Sequence, residues 1–305
     1  MKQSVGDLTY LRDEYARHRR ASHKSPKTIE ADVSAIESLE RFLGERGMPR
    51  TVSALTREHV ESYMEDQLAR WKPATAHQRY RHLKRFFAWL VAENEIPSSP
   101  MRNLGPPELP ERKPDVMTTA AFDALVDTCD DTFTGRRDKA ILWMLRQTGI
   151  RAAELMGLRL QDVDRDATLL IDKQHVHAPK VRVIGKGDRQ RDVGFLGETD
   201  QALGRYLRRR AAHRHAGLEW LWIGERGRLS ASGLRQMLEM RAEKAEVGHV
   251  HPHSFRHFMA DEWLRSGRSE TGLMAQAGWR SRAMLQRYAN ANAEDRARIE
   301  QLERM

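Results

Sequence analysis

Val181-Arg182-Val183-Ile184-Gly185-Lys186-Gly187-Asp188-Arg189-Gln190-Arg191-Asp192-Val193-Gly194-Phe195 reads as two short β-prone runs joined by a turn, in a chain whose pattern is otherwise mostly helical. Val181 to Ile184 and Arg191 to Phe195 alternate apolar and polar side chains, which suits a pleated, half-buried surface. Gly185-Lys186-Gly187-Asp188 supplies the glycines that a tight turn needs. A further β-prone run, Thr168 to Ile171, precedes them. A small antiparallel sheet set between helical stretches makes this part α+β, and the fold class expected for the whole chain is mainly α.

Outward from the hairpin the apolar period changes to three and four. Arg136 to Gln147 carries Ile141, Leu142 and Leu145 and stops at Thr148-Gly149, where glycine suits the left-handed position after a helix. A new helix is expected around Arg151. Thr118 or Thr119 can cap another, running through Phe122, Leu125 and Val126. From Asp200 onward the pattern again looks helical. Gly105 to Pro114 holds four of the eleven prolines and reads as a linker. Before it, Ser25-Pro26-Lys27-Thr28 signals the start of a helix with Ile29, Val33, Ile36, Leu39, Phe42 and Leu43 on one stripe. A second helix begins near Thr56 and carries Val60, Tyr63, Met64 and Leu68. A third begins near Pro73 and carries Tyr80, Leu83, Phe86, Phe87 and Leu90. Beside that last stripe Arg79, Arg81, His82, Lys84 and Arg85 supply cations suited to lying against phosphates, or simply a solvated face. The expected organisation is 1–104 helical, 105–117 linker and 118–305 mixed.

With 305 residues, 40% of them hydrophobic and 31% charged, the chain can bury two cores under a solvated surface, which excludes disordered and collagen-like classes. Its one cysteine, Cys129, can form no internal disulfide; no apolar run approaches the roughly 18 residues that span a bilayer, and no signal peptide is read at Met1. A cytoplasmic protein without a membrane partner is expected. The formal net charge of +9 points to a polyanion, and by itself fits RNA, DNA or an anionic membrane surface.

Five segments bring cations, a histidine, an indole and a phenol into one domain: Thr148-Gly149-Ile150-Arg151-Ala152-Ala153-Glu154-Leu155, the Gly185-Lys186-Gly187 turn, His253-Ser254-Phe255-Arg256-His257, Ala277-Gly278-Trp279 and Gln286-Arg287-Tyr288. Singly, each has an ordinary explanation, such as an Arg-x-x-Glu pair on a helix surface or aromatics in a core. His249, His251, His253 and His257 invite a zinc reading, but His-Ser-Phe-Arg-His contains no acid and the cysteine is far away, so no metal is expected. The Gly-Lys-Gly turn is too short for a phosphate-binding loop of the nucleotide hydrolases. In this order and spacing the set resembles the tyrosine site-specific recombinase (phage integrase) family. The resemblance extends over nearly the whole chain, because the Thr28 to Leu43 helix and the Pro73 to Pro100 segment resemble the family's helical, SAM-like core-binding domain. Trp279 stands where the family more often has His, and Ser99-Pro100 where it commonly has Asn-Pro. The stretch Lys173 to Lys180, with His175 and His177, lengthens the approach to the turn lysine.

The resemblance implies a core-binding domain at 1–104 and a catalytic domain at 118–305 ending in a tail helix. It implies catalytic roles for Arg151, Lys186, His253, Arg256, Trp279 and the nucleophile Tyr288; Glu154 is expected to orient Arg151, and the cations Arg79, Arg81, Lys84 and Arg85 to contact DNA. The chemistry suits these types. A phosphodiester repels nucleophiles, and a free tyrosine, with a pKa of about 10, is a weak one, so cations must carry the developing charge. Arginines can grip the non-bridging oxygens in pairs of hydrogen bonds. Lys186 can protonate the leaving 5′ oxygen, His253 can bond the phosphate or act as base, and Trp279 offers one N–H. Tyr288 then gives a 3′-phosphotyrosyl link, which keeps the bond energy, so no cofactor, ATP or metal is expected.

By the same resemblance the partners are double-stranded DNA recombination sites, clamped by the two domains with the linker along one side. A tetramer of this chain would assemble on them and pass through a Holliday junction in the cytoplasmic nucleoid, and an accessory factor could set its direction. Core-binding helices within the first thirty residues leave no room for a separate arm-site-binding domain, which favours a simple recombinase of dimer resolution or of a small mobile element. Two other readings remain: a type IB topoisomerase-like enzyme, and a non-catalytic DNA-binding regulator.

Overall fold

Asp7 accepts a hydrogen bond from the Thr9 amide at 2.8 Å and starts α1 (Leu8–Ala21). The sequence pattern did not announce this helix, because Leu8, Leu11, Tyr15 and Ala16 make a thin stripe among charged residues. The structure, a computed structural model, describes residues 6–110, 117–185 and 189–289 together with Arg298 and Gln301. Its contacts divide into two units, Met1–Arg112 and Lys113–Met305. Among the described residues no helix is long and apolar enough to cross a membrane.

The first unit adds the three expected helices, α2 (Pro26–Glu45), α3 (Arg57–Arg70) and α4 (Pro73–Ala92). Ser25 caps α2 by accepting from the Thr28 amide at 3.3 Å, and Pro26 and Pro73 stand at first-turn positions, where the missing N–H costs nothing. α2 packs on α1 and α4, and α3 on α4, around Ile36, Leu39, Phe42, Tyr63, Leu83, Phe86 and Phe87. Each such side chain contributes about 1.5–3 kcal/mol by leaving water.

Among the described residues of this unit one charged side chain is buried. Asp32 of α2 is 1% exposed, and its carboxylate meets Arg19 Nε at 2.9 Å, His82 Nδ1 at 2.5 Å and Arg85 Nη2 at 3.3 Å. Burial alone would push this acid up, but the His82 hydrogen bond and the charges of Arg19 and Arg85 outweigh it and hold it below the ordinary carboxylate range. Asp32 thereby fastens α1 and α4 to α2.

The second unit opens with α5 (Thr119–Asp127), capped by Thr118, then α6 (Phe133–Thr148) and α7 (Ala152–Gly157). α6 begins three residues before the expected start, because Thr132 accepts from the Gly135 amide at 3.0 Å. The strands β1 (Val163–Asp164), β2 (Thr168–Ile171), β3 (Gln174–His177), β4 (Lys180–Ile184) and β5 (Gln190–Gly194) follow. They form two antiparallel sheets. One has the order β1-β4-β5 with Val181 opposite Val193; the other is the β2–β3 hairpin, in which Leu169 faces Val176. The stretch after Lys173 is therefore a strand paired back on β2, not only a longer approach to the turn.

Beyond come α8 (Glu198–Ala211), β6 (Ile223–Gly224), β7 (Gly227–Arg228), α9 (Ala231–Lys244), α10 (Pro252–Arg265), α11 (Glu270–Ala277) and α12 (Arg282–Ala289). The β6–β7 hairpin corrects the expectation that everything after Asp200 is helical; at two residues per strand it leaves no readable period. The main core gathers Phe122, Ile141, Leu145, Leu155, Val181, Val193, Tyr206, Trp222, Leu238 and Phe255. A second, smaller cluster of Met259, Ala260, Leu273, Ala277, Trp279 and Leu285 lies under α10, α11 and α12.

Replacing Asp32 by Asn leaves cations gathered around a neutral amide, and should lower the stability of the full chain in urea by about 3 kcal/mol. In the native protein the Asp32 contribution is present above the ordinary carboxylate range and is lost as pH falls through its lowered value. The variant's acid limb should accordingly be flatter.

Candidate active site

The site assembles where three chain turns meet. α6 ends at Gly149, whose φ of 54° is left-handed, and α11 ends at Gly278 with φ 64°. α10 starts between them in sequence, with Pro252 in its first turn and His251 and Ser254 capping one another through side chains and amides at 3.1 and 3.3 Å. This first turn projects His253 and, three residues on, Arg256 from one face.

Arg256 is 2% exposed. Its Nη1 donates to the Gly149 carbonyl at 2.6 Å and its Nη2 to the Ala277 carbonyl at 2.5 Å, so one guanidinium holds the ends of α6 and α11. Helix C-termini carry partial negative charge, which favours a cation there. The same guanidinium lies 5.2 Å from the ring centre of Trp279, itself 5% exposed.

Arg151 follows Gly149 by two residues and caps the N-terminus of α7. Its Nη1 donates to Glu154 Oε1 at 2.8 Å and its amide to Oε2 at 3.1 Å. The Arg151 side chain is 42% exposed and that of Glu154 only 4%. Glu154 has a second cation that the sequence reading missed. Arg191 of β5 reaches it through Nη1 at 3.1 Å and Nη2 at 2.8 Å, and its Nε donates to the Gln276 carbonyl at 3.4 Å. The signal was present in the alternation, since Arg191 shares a strand face with the buried Val193 and Phe195. Burial pushes Glu154 up; the bonds from Arg191 and Arg151 outweigh this and hold it below the ordinary carboxylate range.

His253, His257 and His251 all titrate below the usual histidine value. For His253 burial comes first, then the charges of Arg256 and Arg151; for His257, burial, then His253, His251 and Arg256. For His251 it is burial, then His249 and His253. His253 is therefore a neutral imidazole at neutral pH, able to accept a proton.

Arg151, Glu154, His253, Arg256 and Trp279 are thus brought together. Tyr288 falls on α12, which Leu285 anchors in the smaller cluster; its side chain lies outside the described residues. Lys186 also lies outside them, between Gly185 and Arg189, which are joined by a 2.7 Å backbone hydrogen bond. Arg79, Arg81, Lys84 and Arg85 belong to the other unit. There Arg79 lies 5.0 Å from the Trp71 ring centre, Lys84 donates to the Tyr80 hydroxyl at 3.1 Å, and Arg85 joins the Asp32 cluster. A cleft of about 700 Å³ also reaches Glu154; Arg159, Lys180, Arg182 and Arg228 line it together with Asp162, Asp164 and Asp192, so acids and bases balance in its walls. Among the described residues no group of three or more metal-ligating side chains is found.

The profile of the phage integrase family matches residues 115–295, and that of the phage integrase N-terminal SAM-like domain matches residues 11–96. The chain belongs to the phage integrase family. Its enzymatic class is that of the tyrosine recombinases, which break and rejoin DNA strands. It is 30% identical over 278 residues to the tyrosine recombinase XerC of Myxococcus xanthus, covering 88% of this chain and 89% of that one. In fold it is similar to the XerH site-specific recombinase bound to a palindromic difH substrate, with a TM-score of 0.74 at 14% identity over 98% of this chain and 84% of that one. It is also similar to a lambda integrase tetramer bound to a Holliday junction, with a TM-score of 0.70 at 14% identity, covering 91% and 78%.

Histidines held below their unfolded value favour folding while neutral, so this stability is present above the ordinary histidine range and is lost as pH falls through it. The melting temperature of the native chain should drop from about pH 8 to about pH 5, and His253→Gln should drop less over the same interval. An equal drop in both would assign the effect to other groups.

Proposed function

We propose that this chain is a site-specific recombinase of integrase type, which cleaves DNA through a 3′-phosphotyrosyl intermediate on Tyr288. The observation that carries the reading is the convergence of Arg151, Arg256 and a neutral His253, with Arg256 held by the carbonyls of Gly149 and Ala277 beside Trp279. Two guanidiniums presented to one place suit the non-bridging oxygens of a phosphodiester and the extra charge of its pentacoordinate transition state. Glu154 orients Arg151. His253 accepts the Tyr288 proton or bonds the phosphate, and Trp279 forms the wall of the pocket and offers its N–H.

The Tyr288 oxygen forms a bond to phosphorus as the bond to the 5′ oxygen breaks, and Lys186 gives that oxygen its proton. The adduct conserves the energy of the broken bond, so attack by the 5′ hydroxyl of another strand rejoins DNA with no ATP and no metal. The helical unit binds the core site through α4, with Arg79, Arg81, Lys84 and Arg85 toward the phosphates. The lambda integrase relative is a tetramer on a Holliday junction, which supports the same assembly and intermediate for this chain. The reaction belongs to the cytoplasmic nucleoid, where an accessory factor could set its direction.

The test is incubation of the full chain, without metal or ATP, with DNA flanking its own gene. Wild type should give SDS-resistant protein–DNA adducts, while Tyr288→Phe should give none and still bind the same fragments. Binding without any wild-type adduct, including on a nicked trapping substrate, would replace the enzyme by a regulator. The tail from Ala293 to Met305, of which Arg298 and Gln301 alone are among the described residues, carries Ile299 and Leu302 as a short apolar stripe in the sequence. Deleting it should leave site binding intact and weaken multimer formation on DNA; unchanged multimers would rule out that role.

A further inference from the structure

Glu154 is one buried carboxylate shared by two guanidiniums. Its Oε1 accepts from Arg151 and Arg191, and its Oε2 accepts from Arg191 and the Arg151 amide, so four donors fill about the four lone-pair sites a carboxylate offers. The two arginines are not equivalent. The Arg151 side chain is 42% exposed, while that of Arg191 is 18% exposed and faces inward. Arg191 is further held by the Gln276 carbonyl, and it lies so close over Gly278 that a Cβ there would meet its Cζ at 2.8 Å. Gln276 and Gly278 flank Ala277, whose carbonyl holds Arg256. Arg191 therefore touches both the carboxylate that holds Arg151 and the chain on either side of the carbonyl that holds Arg256, without being presented to solvent as Arg151 is.

The charge count gives this placement a consequence. One carboxylate and two guanidiniums leave a net positive charge, and the more exposed member carries it outward. Without Arg191, Glu154 and Arg151 would form a one-to-one pair with no net charge, and in a partly buried site the carboxylate would repel an approaching phosphate.

We propose that Arg191 is a positioning residue of the cleavage reaction, which neutralises Glu154 and so leaves the charge of Arg151 for the scissile phosphate. This rests on the assignment of Arg151 to phosphate binding above. It is distinct from a purely mechanical tie between β5 and α11, because a tie would be needed whatever the charge at position 154.

That difference is measurable in the full-length protein with wild type, Arg191→Gln, Glu154→Gln, the double variant and Arg191→Lys. Two readings are taken: the single-turnover rate of adduct formation on the flanking DNA fragment, and the affinity for inorganic phosphate by titration calorimetry. Arg191→Gln should lose on the order of tenfold or more in both, and Glu154→Gln placed on top of it should recover most of that loss, the coupling expected of groups in contact. Arg191→Lys, which keeps the charge without the two-point grip, should lie much nearer wild type than Arg191→Gln. If Arg191→Gln matches wild type, or the double variant is no better than the single one, Arg191 is a structural tie and the proposal fails. Should Arg191→Gln not fold, Arg191→Lys on the wild-type background and on Glu154→Gln decides: equal phosphate affinity supports charge balance, and a loss on both backgrounds overturns it. If wild type forms no adduct, the recombination reading fails alone, and the phosphate titration still decides the role of Arg191.

Discussion

A guanidinium that is almost wholly removed from water must place its N–H groups on acceptors, and the candidate site of the second unit is arranged around how Arg256 does so. The acceptors are carbonyls at or next to the last turns of α6 and α11, left without partners inside their own helices. They are available because both helices end at a left-handed glycine, Gly149 and Gly278, which turns the chain away abruptly. Gly149 also leaves room that a side chain would contest with Met259. From the first turn the chain passes directly to Arg151, and from the second directly to Trp279. The requirement to satisfy one buried arginine therefore fixes where two other residues of the site begin.

The helical unit solves the converse problem with the sign reversed. Asp32 is buried, and cations from α1 and α4 converge on it. In both units an apolar core supplies the stability while buried charges with fixed partners, Asp32 in one and Arg256 among several in the other, specify which elements lie against which. Greasy surfaces tolerate sliding, and a carboxylate or guanidinium with fixed partners does not. Glu154, shared by Arg151 and Arg191, repeats the device on a smaller scale beside the site.

Much of this was legible from the residues because it followed from period and capping. The α2 and α4 stripes, the glycine after Thr148, and the Val181 to Phe195 hairpin are local patterns with local causes. α1 escaped because its apolar positions are few against a charged background. β3 escaped because every residue of the β2–β3 hairpin is exposed, so no inside-outside alternation marks it. The site divides in the same way. Arg151, Glu154, His253, Arg256 and Trp279 sit in recognisable motifs, whereas Arg191 pairs with a carboxylate 37 positions away, a distance over which no motif reaches. Its one trace was a charge on the buried face of a strand.

The Asp32 cluster has a thermodynamic corollary for α4. Read along the sequence, that helix presents five neighbouring basic residues, and each cation that neutralises a DNA phosphate steepens the salt dependence of binding by about 0.9 in the logarithmic slope. Of these, Arg85 already faces a carboxylate inside the protein. A cation so engaged brings less uncompensated charge to a phosphate, and docking it there displaces correspondingly fewer condensed counterions. If α4 docks on DNA as proposed, the affinity it contributes is less sensitive to ionic strength than its count of basic residues implies.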